Sequence, residues 1–180
     1  MLLDIFSNVS MPFYRFGDIM FLQKISNKKW GEFIQKRFED TGKKIACEQA
    51  EYLAELVDNH SYYVQQLAQQ AWLRTKTVCS KNIIDESIQS IKNQLSLLFV
   101  GQIETMTGTQ LNFLKAVLDG KTAFSSQENL KKYRLGSSAN LKKIKNTLIS
   151  REIIDISTQK VDILDPVFKL WLKEDFFKVK

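Results

Sequence analysis

Apolar residues recur three and four residues apart through the first part of the chain, the spacing of one face of an α-helix. Gly42 and Asn59 interrupt this pattern, and Ser61 is placed to cap the helix that follows. The pattern predicts three short helices and then a longer one from residue 82 to about residue 104. The apolar faces of the short helices are Trp30, Phe33, Ile34 and Phe38; Ala50, Leu53, Ala54 and Val57; and Val64, Leu67, Ala68, Ala71 and Trp72. In the longer helix Ile84, Ile88, Ile91, Leu95 and Leu98 alternate four and three residues apart, a seam that would suit a coiled-coil partner. Because two heptads are too few for a coiled coil, a helix that connects two subdomains is favoured.

A different order of elements is predicted after residue 106. Thr107 caps a helix that ends at Gly120, Ser125 or Ser126 caps a short helix over residues 127–133, and Gly136 makes a turn. Ser137 or Ser138 then caps a helix, two alternating segments (154–156 and 161–163) flank a turn at 157–160, and Asp165-Pro166 starts a last helix. The expected buried positions are Leu111, Leu114, Val117 and Leu118; Leu141, Ile144, Leu148 and Ile149; and Val167, Phe168, Trp171 and Leu172. Helix, helix, turn, helix and hairpin is the layout of a winged helix-turn-helix domain.

The predicted fold class is therefore mainly α: a helical bundle followed by a winged helix-turn-helix domain with a small β-hairpin. One segment does not fit this description. Residues 19–22 form a continuous apolar run, which is typical of a strand buried on both faces of a parallel sheet. Because the residues up to 105 look helical, the partners of this strand would have to precede Met1. We therefore expect the chain to be a fragment of a longer protein.

The charges divide the chain into two parts. The net charge is +6, and up to Met106 there are 12 basic and 12 acidic residues, whereas residues 107–180 hold 14 basic and 8 acidic residues. The whole positive excess thus lies in the predicted winged helix domain, which favours a polyanionic partner such as nucleic acid. A solvated basic face is the alternative interpretation.

The candidate DNA-binding residues lie on the outward side of the helix that would enter the major groove. Lysines bind phosphates as point charges, and amides can read base edges. This helix has no arginine for the bidentate contact with guanine, so contact with the DNA backbone is favoured over sequence reading. A winged helix that contacts a protein instead is the alternative. The candidates are Ser138, Asn140, Lys142, Lys143, Lys145 and Asn146.

Two further residues are candidates for binding an anion. His60 directly precedes a predicted helix start, where a structural role is favoured but an anion could also be held. Arg15 lies in a loop ahead of the apolar run and would pair with a carboxylate or reach a phosphate.

Several kinds of chemistry have no motif in this sequence. We find no GxxxxGK[ST] loop, no nucleophile elbow and no carboxylate pair with a histidine, so no catalytic residues are predicted. Cys47 and Cys79 fit neither metal-ligand nor redox spacing and are expected to be packed, reduced thiols, and no metal site is predicted. No apolar run approaches the roughly 20 residues of a membrane span, so a cytoplasmic protein without membrane contact is expected.

Segments along nearly the whole chain resemble the carboxy-terminal portion of the archaeal-type P-loop ATPases of the AAA+ and STAND group. They are PFYRFGDI (12–19), FIQKRF with TGKKI (33–45), HSYYVQQLAQQAW (60–72), TQLNFLKAV (109–117), YRLGSSANLKKIKNTL (133–148) and DPVFKLWL (165–172). The resemblance implies a remnant of the ATPase core in residues 1–25, a helical lid with a connecting helix in 26–106, and the winged helix domain in 107–180.

The resemblance also implies a function. Arg15, His60, Ser61 and Tyr62 would sense the nucleotide, with Ser61 standing where the family usually has proline. ATP and Mg²⁺ would be bound by a core upstream of Met1, and neither would be held by this chain alone. The parent protein would be an ATPase that couples its nucleotide state to binding of DNA or a partner protein by the winged helix. Two alternatives are a free-standing winged-helix DNA-binding regulator dimerised by its amino-terminal helices, and a winged-helix protein-interaction module.

Overall fold

Helices make up most of the computed structural model, which describes residues 9–10, 23–158 and 160–178. The helices are α1 (Asn27–Glu39), α2 (Cys47–Leu56), α3 (Ser61–Arg74), α4 (Lys81–Glu104), α5 (Gly108–Leu118), α6 (Gln127–Lys132), α7 (Ser138–Ser150) and α8 (Pro166–Trp171), with a π-helical turn at Leu172–Phe176. The strands are β1 (Lys44–Ile45), β2 (Val78–Cys79), β3 (Ile154–Thr158) and β4 (Lys160–Ile163). The predicted mainly α fold with a β-hairpin is confirmed. The predicted strand at 19–22 lies outside the described residues.

The amino-terminal bundle is built on close packing of α1 against α2. Trp30, Ile34 and Phe38 are buried on the inner face of α1, as the apolar spacing predicts, whereas Phe33 of the same predicted face is 46% exposed because it lies 100° around the helix from Ile34. Gly31 makes the close approach possible, because a Cβ atom there would lie 2.7 Å from Cγ of Glu51 on α2. The backbone of α1 at Gly31 therefore lies directly against the side chains of Glu51 and Cys47 on α2.

A short parallel pair of strands corrects the expectation that residues 27–105 are helical throughout. β1 pairs with β2 in parallel, with Lys44 opposite Val78 and Ile45 opposite Cys79. Ile45 and Cys79 point into the core, while the side chains of Lys44 and Val78 are exposed. Two residues are too few to show a period of two in a sequence, and the partners are brought together only by the packing of α1 to α3.

The predicted apolar seam of α4 is only partly buried. Ile84, Ile88 and Ile91 are buried, in a helix that packs on α3 and α8, but Leu98 is 69% exposed. α8 meets α4 through Phe99, whose ring lies against the rings of Phe168 and Trp171. Phe99 is therefore buried, and Leu98, which lies 100° around the helix from it, is exposed.

Local capping signals define the helices of the carboxy-terminal unit, which comprises α5 to α8, the hairpin β3–β4 and the π-helical turn. Thr107 and Gln110 form a capping box at the start of α5, and the Oγ atoms of Ser126 and Ser137 accept from the backbone at the starts of α6 and α7. Of the predicted alternatives, the cap of α6 is Ser126 and not Ser125, and the cap of α7 is Ser137 and not Ser138. Leu141, Ile144 and Leu148 are buried as predicted; Ile149 is 41% exposed, because it lies a further 100° around α7 from Leu148.

The β-hairpin is longer than predicted. β3 and β4 pair in antiparallel fashion from Ile154 opposite Ile163 to Thr158 opposite Lys160, so the predicted turn at 157–160 is largely strand. Backbone pairing between the two strands continues past the last alternating apolar residues, as far as Thr158 and Lys160.

The last helix connects the two units. Asp165 Oδ1 caps α8 by accepting from the backbone N of Val167 at 2.8 Å and of Phe168 at 2.9 Å. The Phe168 ring lies 5.2 Å from the Phe99 ring of α4, centroid to centroid, and the Trp171 ring lies 5.6 Å from it. α8 is thus fixed to the long helix that leads out of the amino-terminal bundle.

Candidate nucleic-acid interface

The most basic stretch of the chain folds into one structural motif. Between Glu128 and Glu152 the sequence has seven lysine and arginine residues and no acidic residue. These positions form most of α6, the turn at Gly136 and all of α7. The helix-turn-helix of the carboxy-terminal unit therefore carries a concentrated positive charge.

The outward face of α7 presents two lysines and an amide to solvent. Lys142, Lys143 and Asn146 are exposed, as is Ser138 at the start of the helix. Ser138, Lys142 and Asn146 are four residues apart and so share one face of α7. Neither Lys142 nor Lys143 forms an ion pair with a described residue, so both ammonium groups are available to an external anion. We name Ser138, Lys142, Lys143 and Asn146 the recognition surface.

The other two candidates on α7 are engaged within the fold. Asn140 is half-buried, and its Nδ2 donates to the backbone O of Leu135 at 2.9 Å. This bond closes the turn at Gly136, which has φ +78° and where a Cβ atom would lie 3.1 Å from Nδ2 of Asn140. Lys145 is half-buried with its Nζ 5.0 Å from the centroid of the Phe124 ring. Their contact with DNA stays a prediction, and in the free protein they support the turn and the core.

Three more cations lie in the same motif and were not among the sequence candidates. Lys131, Lys132 and Arg134 are exposed on α6 and the following turn. Sequence reasoning missed them because it considered only the predicted recognition helix. The signal that finds them is the absence of any acidic residue from 129 to 151.

Next to these cations, Tyr133 has a raised pKa. Burial, together with the hydrogen bond that its hydroxyl donates to Asp119 Oδ2 at 2.7 Å, raises the pKa of Tyr133 to about 12. In the unfolded chain a tyrosine ionises near pH 10. The contribution of Tyr133 to stability is therefore complete below about pH 10 and is lost as the pH rises toward about 12.

We expect this ionisation to be visible in an alkaline titration. Tyrosinate absorbance of the folded chain should include one component near pH 12 that the Tyr133→Phe variant lacks. The free energy of unfolding of the variant should also fall less steeply between pH 10 and 11. A titration in which Tyr133→Phe removes a component near pH 10 would contradict the assignment.

Several carboxylates of the carboxy-terminal unit lie instead at its junction with the amino-terminal helices. Lys169 Nζ lies 2.9 Å from Asp58 Oδ2 and 3.0 Å from Asp162 Oδ1. Lys92 Nζ of α4 lies 2.7 Å from Glu174 Oε2 and 2.9 Å from Asp175 Oδ2. These contacts neutralise carboxylates at the junction of the two units. Asp119 lines a pocket with Lys132 and Arg134, so the cations of α6 have an acidic neighbour in space, although none lies between residues 129 and 151 in the sequence.

The candidate nucleotide-sensing residues lie at the start of α3. The N-cap is His60, without a side-chain capping bond, so the prediction that Ser61 caps this helix was wrong; Ser61 is the first helical residue and is exposed. His60 is half-buried, and its Nδ1 is buried without a hydrogen-bond partner among the described residues. Tyr62 is 63% exposed. Arg15 lies outside the described residues.

A cleft of about 450 Å³ adjoins His60. It lies between the start of α3 and the β-hairpin, and Lys24, Asp58, His60, Asp155 and Asp162 line it together with residues 163, 164 and 166. Asp58 and Asp162 of this lining are paired with Lys169, so their charges are already partly balanced.

Tyr63 connects the start of α3 to the winged helix. Its hydroxyl donates to Asp165 Oδ2 at 2.7 Å, and burial together with this bond raises the pKa of Tyr63 well above its usual range. Asp165 therefore both caps α8 and accepts a hydrogen bond from the amino-terminal bundle. The sequence resemblance includes Tyr63 in the segment from residue 60 to residue 72, but it carries no signal for this contact, because the partner is 102 residues away.

Removing this hydroxyl tests the junction. We expect Tyr63→Phe to lower the free energy of unfolding by about 1 kcal/mol, since one half-buried hydrogen bond to a carboxylate is lost while the α8 cap remains. Tyr62→Phe, at an exposed neighbouring ring, should change it by less than about 0.5 kcal/mol. Urea unfolding of the two variants makes the comparison, and equal effects would contradict a role specific to Tyr63.

The described residues have neither a metal-binding cluster nor a membrane-spanning helix. Among the described residues, no cluster of three or more histidine, cysteine, aspartate or glutamate side chains could hold a metal ion. Across the same parts of the chain, no helix combines the length and the apolar character needed to cross a bilayer.

Comparison with known proteins identifies the carboxy-terminal unit. Residues 98–174 match the family model described as a probable winged helix domain. The match begins within α4 and ends in the π-helical turn after α8, so it includes the helix-turn-helix and the hairpin. No curated protein and no solved structure matches the chain. The chain thus contains a winged helix domain, a fold that commonly binds DNA or proteins.

Proposed function

We propose that this protein binds double-stranded DNA through its winged helix domain, with α7 in the major groove. The observation that carries the proposal is the separation of charge within the domain. The helix-turn-helix has seven cations and no acidic residue from 129 to 151, whereas carboxylates such as Asp162, Asp165 and Glu174 are engaged at the junction with the amino-terminal helices. An exposed basic helix on this fold suits the electrostatics of a duplex.

The recognition surface is better suited to phosphates than to base pairs. Lys142 and Lys143 would bind phosphates as point charges, and Asn146 is placed to reach a base edge or a second phosphate. α7 has no arginine for a bidentate contact with guanine. Binding should therefore depend strongly on salt and only weakly on sequence.

A salt titration tests the proposal. The full chain is titrated into a fluorescent duplex of about 20 base pairs, and the anisotropy gives the Kd at several salt concentrations. Contact with four to six phosphates gives a plot of log K against log salt with a slope of about −4 to −5. Absence of binding at low salt would overturn the proposal and favour a winged helix that contacts a protein.

We further propose that the chain works as the lid and winged-helix region of a P-loop ATPase. The junction supports this, because the start of α3, which includes the candidate sensing residues His60, Ser61 and Tyr62, is bonded through Tyr63 to the cap of α8. Asp58, just before α3, is paired with Lys169 of α8. A displacement of the start of α3 would therefore be transmitted to the winged helix.

In this proposal the nucleotide site is in a core encoded upstream of Met1. ATP with Mg²⁺ would supply there a γ-phosphate whose loss changes the local charge. Arg15 and the start of α3 would respond to that charge, and the two contacts of Asp58 and Tyr63 would carry the response to α7.

The coupling has its own test. Translation of the reading frame upstream of Met1 is expected to show a GxxxxGK[ST] loop, and the DNA affinity of the parent protein should then differ several-fold between ATP and ADP. Tyr63→Phe should reduce this difference, because it removes the hydrogen bond that joins α3 to the cap of α8. A stop codon directly upstream would overturn the ATPase proposal and leave the DNA-binding proposal standing.

A further inference from the structure

The carboxy-terminal half of α4 exposes an apolar surface that the core does not use. Leu97 is 84% exposed, Leu98 is 69% exposed and Val100 is 37% exposed. Gly101 lies beside them, and a Cβ atom built there would meet nothing within 4 Å. We name Leu97, Leu98, Val100 and Gly101 the α4 surface. Two leucines this exposed next to each other on a regular helix are a candidate for a contact with another helix.

The α4 surface lies in a segment without charge. From residue 93 to residue 103 the sequence has no acidic or basic side chain, so no desolvation of an ion opposes its burial. The exposed amides of Asn93 and Gln94 lie at the amino-terminal end of this segment, and Glu104 lies at the carboxy-terminal end. Gln89 Nε2 donates to Asn93 Oδ1 at 3.0 Å, which leaves the Nδ2 group of Asn93 as a donor. One end of the surface thus donates hydrogen bonds and the other end accepts them.

We propose that the α4 surface binds the same surface of a second copy of this chain, with the two helices antiparallel. A twofold axis near residue 99 places Leu97 opposite Gly101 and Gln94 opposite Glu104 of the second copy. The leucine side chain then packs where the glycine has no side chain, and the amide meets the carboxylate. Such a surface is complementary to itself, as a twofold dimer requires.

The charges favour the antiparallel over the parallel arrangement of the same two helices. A parallel pair would place Glu104 opposite Glu104 and the amides opposite each other. Like charges opposed across an interface are unfavourable, whereas the antiparallel pair joins acceptor to donor at both ends. The partner that suits this surface is therefore the chain itself in the opposite direction.

The interface would be small. Eleven residues of helix span about 16 Å, and a contact of this length is at the lower end of the range for specific interfaces. We expect a Kd of about 1–100 µM, so that the monomer and the dimer are both populated at ordinary concentrations.

Sedimentation equilibrium of the full chain from about 1 to 500 µM tests the proposal. The wild type should show a monomer–dimer equilibrium. The double variant Leu97→Lys/Leu98→Lys should be monomeric at every concentration. Leu73→Lys is the control, since Leu73 is 58% exposed on α3 and lies outside the α4 surface. Thermal unfolding of each variant shows that the fold is intact. A wild type that is monomeric at every concentration, or a dimer that Leu73→Lys also abolishes, would overturn the proposal.

A single substitution tests the direction of the helices. Gln94→Lys places an ammonium group opposite Glu104 of the second copy and should tighten the dimer several-fold. In a parallel pair the two introduced ammonium groups would face each other, and the dimer would weaken. An unchanged or weakened dimer therefore overturns the antiparallel arrangement.

Discussion

The double substitution Lys142→Glu and Lys143→Glu should weaken binding to duplex DNA by about 100-fold near 0.1 M salt. Each lysine neutralises a phosphate and releases a counterion, and each introduced carboxylate repels the backbone. The slope of log K against log salt should therefore become shallower by about 2. The same anisotropy titration, with the same duplex, measures both quantities.

The control for this prediction is a matched pair of lysines in the amino-terminal bundle. Lys28 and Lys29 are adjacent, exposed and on the surface of α1, as Lys142 and Lys143 are on α7. Lys28→Glu with Lys29→Glu changes the net charge by the same amount and should weaken binding by less than about threefold, through the long-range field alone. If the two double variants weaken binding equally, the protein has no localised DNA surface on α7.

The second large effect concerns the buried ammonium group of Lys92. Its side chain is 3% exposed, and its two carboxylate partners belong to the π-helical turn. Burial alone would lower the pKa of Lys92, but its hydrogen bonds and charge interactions with Glu174 and Asp175 raise it above its usual value. We expect Glu174→Ala with Asp175→Ala to cost about 3 kcal/mol of unfolding free energy at pH 7, because a buried charge loses its partners.

Two comparisons make this prediction specific. Lys92→Met removes the buried charge with little change in volume and should cost less than about 1 kcal/mol, since Glu174 and Asp175 are 52% and 37% exposed and remain hydrated. In the double alanine variant, burial without partners lowers the folded pKa of Lys92 below the unfolded value near 10.4. The unfolded state then binds more protons, so the variant should recover stability as the pH rises toward 10.

Urea unfolding at pH 7 and pH 10 measures both effects. If the double alanine variant is no less stable than Lys92→Met at pH 7, the two carboxylates do not stabilise the buried ammonium group. If the difference in unfolding free energy between these two variants is as large at pH 10 as at pH 7, the cost comes from lost packing of the π-helical turn and not from the charge.

Features that depend on neighbouring residues were the most predictable from the sequence. The caps at Thr107 and Asp165 were found because each bonds to backbone within three residues of itself. The turn at Gly136 was found because glycine is the residue that adopts a positive φ most easily, and the structure has a φ of +78° there. The seam of α4 is buried up to Ile91 and exposed at Leu98, because α8 packs on the adjacent Phe99 and the sequence carries no signal for that contact.

The sequence predicted which residues of α7 carry charge or an amide, but it did not predict which of them contact other parts of the fold. Charge patterning found Lys142 and Lys143, which are exposed. It had no means of showing that the Asn140 amide closes a turn or that Lys145 lies over the Phe124 ring. Whether a polar side chain on a helix faces solvent or a neighbouring element depends on which element packs beside it.

The sequence by itself determined the mainly α class, the order of the helices, the β-hairpin and the basic character of the carboxy-terminal unit. These follow from periodicity, capping and charge, which act over a few residues. Tertiary structure alone decided the pairing of β1 with β2, the burial of Lys92 and the contact of Tyr63 with Asp165. The partners in these contacts are 34 to 102 residues apart in the chain, and only packing of the helices brings them together.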